Sequence, residues 1–204
     1  MSRKVIFYIA FFSVLVAGFL LVLVKLIPGF AKPQFPPISH VQPFVFTDQD
    51  GRPYSDSDVA GKVYVAEYFF TTCKGICPRL NNNMRQVYDR FKNEPDFRIL
   101  SHTCNPETDS AARLKAYADS MGVSTRTWVF LTGRKDSLYR QARLSYQSDD
   151  PKNNVRNPAD DFLHTQFFAL VDRKGDVRRI VDGLKPSEVR DMFGTIEALL
   201  KEKP

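Results

Sequence analysis

The feature that most constrains the fold is a buried strand that leads through a short thiol-bearing loop into a helix. Residues 62–70 are rich in Val, Tyr and Phe and lie between Gly61 and the loop, which is typical of a central strand. Pro78 then fits the first position of a helix. The apolar residues that follow fall on one helical face: Leu80, Met84, Val87 and Phe91.

The rest of the chain continues this alternation of strands and helices. Residues 44–54 predict an edge hairpin around Asp50-Gly51, and a long polar stretch at 148–161 interrupts the pattern. Further strands are predicted at 97–103, 127–131, 167–171 and 177–181, and further helices at about 107–121, 136–144 and 188–201. The pattern predicts an α/β fold of the thioredoxin-like type, a sandwich in which a central mixed sheet is flanked by helices.

An uncharged apolar run at residues 5–24 precedes this domain. At about 1.5 Å per residue it spans the roughly 30 Å hydrocarbon core of a bilayer, and it is longer than the core of a signal peptide. We therefore predict a membrane anchor at residues 1–27 with one transmembrane helix, a proline-rich tether at 28–43, and the folded domain at 44–204. Cleavage after the small residues near Ala31 is the alternative.

The short segment before the apolar run indicates the orientation of the chain. Because only a few residues from Met1 precede the span, the large domain is the part that is translocated, although the bias of flanking cations is slight. We expect a single-pass protein of the inner (cytoplasmic) membrane whose domain faces the periplasm or an equivalent extracytoplasmic space. The cysteines then work in an oxidising compartment.

The charge of the chain argues against nucleic acid as a partner. The formal net charge is +6, but no run of five or more like charges occurs. A solvated surface beside anionic lipid explains this balance better than a nucleic-acid-binding patch.

Two cysteines in the loop, Cys73 and Cys77, are the chemical centre of the sequence. Three residues separate them, which leaves room for an ion between the sulfurs, and thiolates select soft metals, copper(I) first. The same pair can instead work as a redox-active disulfide. Both uses need a thiolate, and we expect the helix dipole to lower the pKa of Cys77 at the start of the helix.

A histidine, His164, bears on the choice between these uses. It precedes the strand predicted at 167–171, where a thioredoxin carries a proline that faces the dithiol. An imidazole there completes a Cys73, Cys77 and His164 triangle that suits copper in either oxidation state. The alternative is that His164 is an ordinary hydrogen-bonded structural residue.

Several segments together resemble the SCO/SenC copper proteins of cytochrome c oxidase assembly. In chain order they are FFTTCKGICP at 69–78, NPETD at 105–109, LKAYA at 114–118, FLTG at 130–133 and FLHT at 162–165. The resemblance implies a thioredoxin-like domain that binds one copper ion, Cu(I) or Cu(II), through Cys73, Cys77 and His164. It implies a metallochaperone for the binuclear copper site of cytochrome c oxidase subunit II, or a protein that serves another copper protein.

Three functional classes stay open at this point. Besides copper delivery, the chain fits a thiol-disulfide oxidoreductase that keeps the cysteines of a partner reduced, so whether it is an enzyme is undecided. A redox or copper sensor is the third class.

The chain also departs from the family pattern. Cys104-Asn105-Pro106 stands where the family usually has Val-Asp-Pro. Cys104 is either a small buried apolar residue or a thiol that forms a disulfide with Cys73 or Cys77 when metal is absent. His102, two residues earlier, is expected to pack within its strand.

Overall fold

The apolar segment near the N-terminus forms one long helix, α1 (Arg3–Leu26). The computed structural model describes residues 2–26, 35–149, 163 and 165–202. The chain divides into two units, Met1–Pro36 and Pro37–Pro204. In the first, the stretch Arg3–Leu23 is long and apolar enough to cross a membrane, by length and composition. The predicted apolar helix is therefore present.

The described residues of the second unit form a mixed sheet of eight strands. In spatial order they are β1 (Ser39–His40), β8 (Asp176–Asp182), β7 (Phe167–Val171), β4 (Val63–Phe69), β5 (Phe97–Thr103), β6 (Trp128–Thr132), β2 (Val45–Asp48) and β3 (Pro53–Ser55). Strands β4, β5 and β6 are parallel, and the other neighbouring pairs are antiparallel. The predicted thioredoxin-like sandwich with a mixed sheet is confirmed.

Helices connect and flank these strands. They are α2 (Cys77–Phe91), α3 (Ala111–Met121), α4 (Lys135–Arg140) and α5 (Pro186–Lys201), with a 3-10 turn at Asp56–Val59 and a π-helical turn at Gln141–Ser145. Helix α3 begins four residues later than the sequence suggests, because the Ser110 hydroxyl caps it by accepting the N–H of Arg113. Gly122 ends the helix in the left-handed conformation.

Alternate residues of the central strand face two different core clusters. Val63, Val65 and Phe69 pack with α2, α3 and α5, and we call this the helical-face cluster. Tyr64 and Tyr68 point the other way, into a cluster with β2, α4 and the π-helical turn, which we call the opposite-face cluster. All seven residues of β4 are buried, as expected for a strand covered on both faces.

The sheet begins earlier than the domain limit drawn from the sequence. Ser39–His40 lies in the segment predicted as tether, yet it pairs with Val177 and Asp176 at the sheet edge. The Ile38 N–H also donates to the Val177 carbonyl (2.7 Å). Ordered contacts with the sheet therefore start near residue 38, because even a two-residue strand satisfies backbone groups of β8.

Candidate metal centre

The thiol loop, residues 70–76, lies at the carboxyl end of the central strand. Strand β4 ends at Phe69 and α2 begins at Cys77, so Cys73 lies between them. The parallel neighbours β4 and β5 end side by side, with Phe69 opposite Thr103. In open α/β sheets, ligands bind in the crevice outside such strand ends. The predicted position of both thiols at this edge is confirmed.

Backbone hydrogen bonds set the path of the loop into the helix. The Cys73 N–H donates to the Phe70 carbonyl (3.2 Å), and the Leu80 N–H donates to the Ile76 carbonyl (3.0 Å). Pro78 occupies the second helical position, one residue later than predicted. Its missing N–H costs nothing there, because N–H groups of the first turn have no partner within the helix.

The two thiols differ in their electrostatic surroundings. Burial opposes ionisation of Cys73, but hydrogen bonds from the Cys77 thiol and from the N–H groups of residues 75–77 outweigh it and lower the pKa of Cys73. Burial, reinforced by the hydrogen bond to Cys73, raises the pKa of Cys77 to about 12. Cys73 is thus the thiol of the pair that ionises more readily, and Cys77 is the thiol that donates to it.

The expectation that the helix dipole lowers the pKa of Cys77 is therefore wrong. Cys77 is buried in the helical-face cluster, where the loss of hydration destabilises its thiolate more than the N-terminal end of the helix stabilises it. The N–H groups at the start of α2 instead stabilise Cys73, which is only partly buried. The thiolate is consequently the more accessible sulfur.

A buried carboxylate, Asp109, holds the thiol loop against the sheet. It accepts hydrogen bonds from the Thr71 N–H (3.0 Å), the Thr71 hydroxyl (2.5 Å) and the Thr103 hydroxyl (2.7 Å). Arg113 lies 3.8 Å from the same carboxylate and also donates to the Thr71 hydroxyl (2.8 Å). The start of the loop is thereby fixed to the end of β5.

The third cysteine, Cys104, borders the same pocket as the pair. The pocket has a volume of about 550 Å³. Its lining residues are Tyr68, Phe69, Phe70, Thr72, Cys73, Lys74, Gly75, Ile76, Cys77, Cys104, Leu163 and Thr165. All three cysteines are described by the structure, and all three are thiols outside any disulfide. The opening at the sheet edge therefore brings together every sulfur nucleophile of the chain.

His164 and most of the polar stretch lie outside the described residues. Its two neighbours, Leu163 and Thr165, are buried and line the pocket. Within the described part of the chain, no group of three or more His, Cys, Asp and Glu side chains is arranged to hold a metal ion. The sulfur donors that are described, Cys73 and Cys77 within hydrogen-bonding reach of each other, suit a soft metal. The complete ligand set stays a prediction.

Sequence reasoning missed a buried acid, Glu67, on the strand that leads to the thiols. Its Oε1 accepts a hydrogen bond from the Ser101 hydroxyl (2.6 Å), which in turn accepts one from the Trp128 indole (2.7 Å). Its Oε2 has no hydrogen-bond partner among the described residues. Burial raises the pKa of Glu67 to about 7, although the Ser101 hydrogen bond opposes the shift. The sequence signal that could have revealed Glu67 is a single carboxylate within an otherwise apolar strand.

His102 belongs to the core and not to the thiol pocket. It is fully buried and stacks on Tyr68 with ring centroids 4.9 Å apart, and the Phe46 ring meets it edge-on at 5.5 Å. Burial lowers the pKa of His102 to about 4, so the ring is neutral at physiological pH. Its expected packing within the strand is confirmed.

Fold and site together define the class of protein. A thioredoxin-like sandwich with a cysteine pair between its central strand and the next helix is a thiol-bearing member of that fold. The model of the family SCO1/SenC matches residues 33–201, and the chain belongs to that family.

Known relatives agree with this assignment. The SCO1 protein homolog of Bacillus subtilis is 31% identical over 161 residues, which cover 78% of this chain and 81% of that protein. The chain matches about half or less of the length of its mitochondrial relatives, for example 50% of the yeast SCO1 protein.

Solved structures are also similar. BsSco, described as a member of the Sco family of cytochrome c oxidase assembly proteins with a disulfide switch, superposes with a TM-score of 0.70. It is 28% identical, and the match covers 84% of this chain and 100% of BsSco. Copper-bound yeast Sco1 superposes with a TM-score of 0.59 at 25% identity, covering 81% of this chain and 96% of that one.

Proposed function

We propose that this chain is a membrane-tethered copper-binding protein that assists assembly of the binuclear copper site of cytochrome c oxidase. The observation that carries the proposal is the pairing of Cys73 and Cys77 at the sheet edge, in a chain that belongs to the SCO1/SenC family. The similarity to copper-bound yeast Sco1 supports copper as the metal. The recipient is cytochrome c oxidase subunit II or another copper protein.

The proposed ligands of one copper ion, Cu(I) or Cu(II), are Cys73, Cys77 and His164. Copper is the cargo, and thiolate with imidazole donors suits both of its oxidation states. Cys73 supplies the accessible thiolate, and Cys77 gives up its proton when metal binds. The burial of Leu163 and Thr165 in the pocket wall supports a ligand at position 164 between them.

The proposed organisation has three segments. Residues 1–27 anchor the protein in the inner membrane, 28–43 form the tether, and 44–204 form the domain on the periplasmic or equivalent face. The long apolar helix supports the anchor. The pairing of Ser39–His40 with β8 supports a tether whose last residues run along the edge of the sheet.

Copper titration of the full-length chain in detergent tests the proposal. Wild type is expected to bind about one copper ion per chain, and Cys73→Ser and Cys77→Ser are expected to abolish tight binding. His164→Ala is expected to weaken it strongly. His40→Ala is the matched control, because His40 lies on β1 and bonds Asp176 (2.8 Å) away from the thiols. Unchanged affinity in His164→Ala would contradict the three-ligand site, and unchanged affinity in both cysteine variants would contradict the function.

The second candidate is a thiol-disulfide oxidoreductase, with Cys73 and Cys77 as its redox-active disulfide. The division of the pair into an accessible thiolate and a buried thiol favours it, since an attacking thiolate and a resolving thiol have these properties. Reduction of a disulfide peptide separates the candidates. The oxidoreductase predicts that turnover survives His164→Ala and is lost in Cys73→Ser. A redox or copper sensor predicts a conformational change without delivery or turnover.

A further inference from the structure

Cys104 stands out because a third sulfur at the thiol pocket has no role in the proposed copper site. The side chain is buried in the opposite-face cluster, whereas Cys77 is buried in the helical-face cluster. Both nevertheless line the pocket at the carboxyl edge of the sheet, where the two clusters meet at Phe70. The pocket therefore connects two buried sulfurs that otherwise belong to different sides of the protein.

The backbone of Cys104 is held firmly in place. Its N–H donates to the Phe69 carbonyl (2.7 Å), and its carbonyl accepts the Tyr139 hydroxyl (2.8 Å). The thiol loop is in contrast largely exposed at Thr72, Lys74 and Gly75. Approach between the sulfurs is consequently expected from the loop and the first turn of α2, which line the same pocket as Cys104.

We propose that Cys104 is a third redox thiol, which exchanges with the Cys73–Cys77 disulfide and thereby closes the copper site. The inference rests on the proposed redox-active pair. Cys77 is the expected point of attack, since it is buried as Cys104 is and both sulfur-bearing residues line the same pocket. A pocket that already holds all three sulfurs needs no external thiol for this reaction.

The exchange conserves electrons. Cys104 gives its proton to solvent, and its thiolate attacks the Cys77 sulfur of the existing disulfide. The Cys73–Cys77 bond breaks, the Cys77–Cys104 bond forms, and Cys73 leaves as a thiolate that the N–H groups of residues 75–77 stabilise. The protein stays oxidised by the same two electrons throughout.

A protein with the Cys77–Cys104 disulfide differs in reactivity from one with the Cys73–Cys77 disulfide. Cys73, the most accessible of the three sulfurs, is released from the disulfide, while Cys77 is no longer available to a metal. Such a protein can react with a partner through Cys73 but cannot hold copper between two thiolates. In this oxidised form the pocket would keep a reactive thiol at Cys73 but would not load copper.

Disulfide mapping of the full-length chain in detergent tests the exchange. Metal-free protein is oxidised with glutathione disulfide, quenched with acid, alkylated and digested with trypsin. Trypsin places each cysteine on a separate peptide, because it cleaves after Lys62, Lys74, Arg79, Arg98 and Arg113. We expect wild type to yield Cys77–Cys104 peptides beside Cys73–Cys77, and Cys73→Ser to yield Cys77–Cys104 alone.

Matched variants and copper loading complete the test. Cys104→Ser is expected to yield only Cys73–Cys77 and, when reduced, to bind copper as wild type does. Copper added before oxidation is expected to suppress the Cys77–Cys104 product. The proposal is overturned if Cys104 is fully alkylated in oxidised folded wild type and Cys73→Ser, and pairs only in urea. Failure of copper binding with the cross-link intact would instead refute the proposed copper function and leave the exchange standing.

Discussion

Each face of the central sheet buries an ionisable side chain, Glu67 on one face and His102 on the other, in different surroundings. On the helical face, Glu67 is bonded to Ser101, and one of its oxygens has no partner among the described residues. On the opposite face, His102 is enclosed by aromatic rings and stacks on Tyr68, and its Nε2 likewise has no partner among the described residues. The acid lies on the same face as Cys77, while the imidazole packs among aromatic rings. The comparison separates a buried acid beside the candidate site, Glu67, from a buried imidazole that packs within the core, His102.

The difference has opposite consequences for the pH dependence of stability. A raised pKa means that folded Glu67 binds a proton that the unfolded chain has released, so its stabilising contribution is lost as pH rises from about 4.5 through 7. A lowered pKa means that unfolded His102 binds a proton that the folded chain lacks, so stability is lost as pH falls from about 6.5 through 4. Variants can separate the two contributions.

The largest effect on stability is expected at Asp109, the buried carboxylate that joins the start of the thiol loop to the end of β5. Asp109→Ala leaves the Thr71 N–H and the hydroxyls of Thr71 and Thr103 without their acceptor. We expect a loss of about 4 kcal/mol in the free energy of unfolding, measured with urea and the fluorescence of Trp128. Asp109→Asn is the control, because its amide oxygen still accepts. A loss below about 1 kcal/mol in the alanine variant would show that the carboxylate does not hold the edge.

Glu67→Gln is expected to flatten the alkaline side of the stability profile. The wild type should lose on the order of 3 kcal/mol between pH 4.5 and 8, as the buried carboxyl with a pKa of about 7 is forced to ionise. Cys77 and Tyr117 face the same cluster, but burial raises the pKa of each to about 12, so they add little in this range. Urea unfolding at stepped pH measures the difference. Parallel profiles for the two proteins would show that Glu67 does not titrate in the core.

His102→Phe tests the acid side in the same way. The ring keeps its aromatic neighbours, while the wild-type loss of on the order of 3 kcal/mol between pH 6.5 and 4 should disappear. Glu67→Gln is the internal control, since it should keep this acid dependence. If His102→Phe instead falls as steeply as wild type below pH 6, another group causes the acid dependence.

The smallest effect is expected at Tyr68, which packs beside His102. Its hydroxyl donates to the Leu138 carbonyl (2.9 Å), and Tyr68→Phe removes this bond without changing the ring. We expect a loss of about 1 kcal/mol at all pH values, read from the urea midpoint. An altered pH profile would instead indicate that the hydroxyl affects His102.

Local patterns explain why much of the fold was predictable. A few neighbouring residues are enough to recognise the apolar run of β4, the proline at the start of α2 and Gly122 at the end of α3. The hairpin of β2 and β3 follows in the same way from Asp50-Gly51, since Gly51 adopts a φ of 78°. The same local reading located the cysteine pair at the edge of the sheet.

Features that depend on distant residues were not predictable. Which cysteine is the thiolate depends on how deeply α2 packs, which no local pattern reports. Glu67 acquires its unusual pKa from neighbours on β5 and from three helices packed over its face. The pairing of Ser39–His40 depends on a strand more than 130 residues away along the chain, at Asp176.

That pairing has a consequence for any shortened form of the protein. Strand β8 would be the outermost strand of the sheet if Ser39–His40 were removed, and Val177, now fully buried, would lose part of its cover. An uncovered strand with open backbone groups recruits other chains and promotes aggregation. A soluble version that starts at residue 44 would therefore tend to self-associate, whereas one that starts before Ile38 keeps its own edge protected.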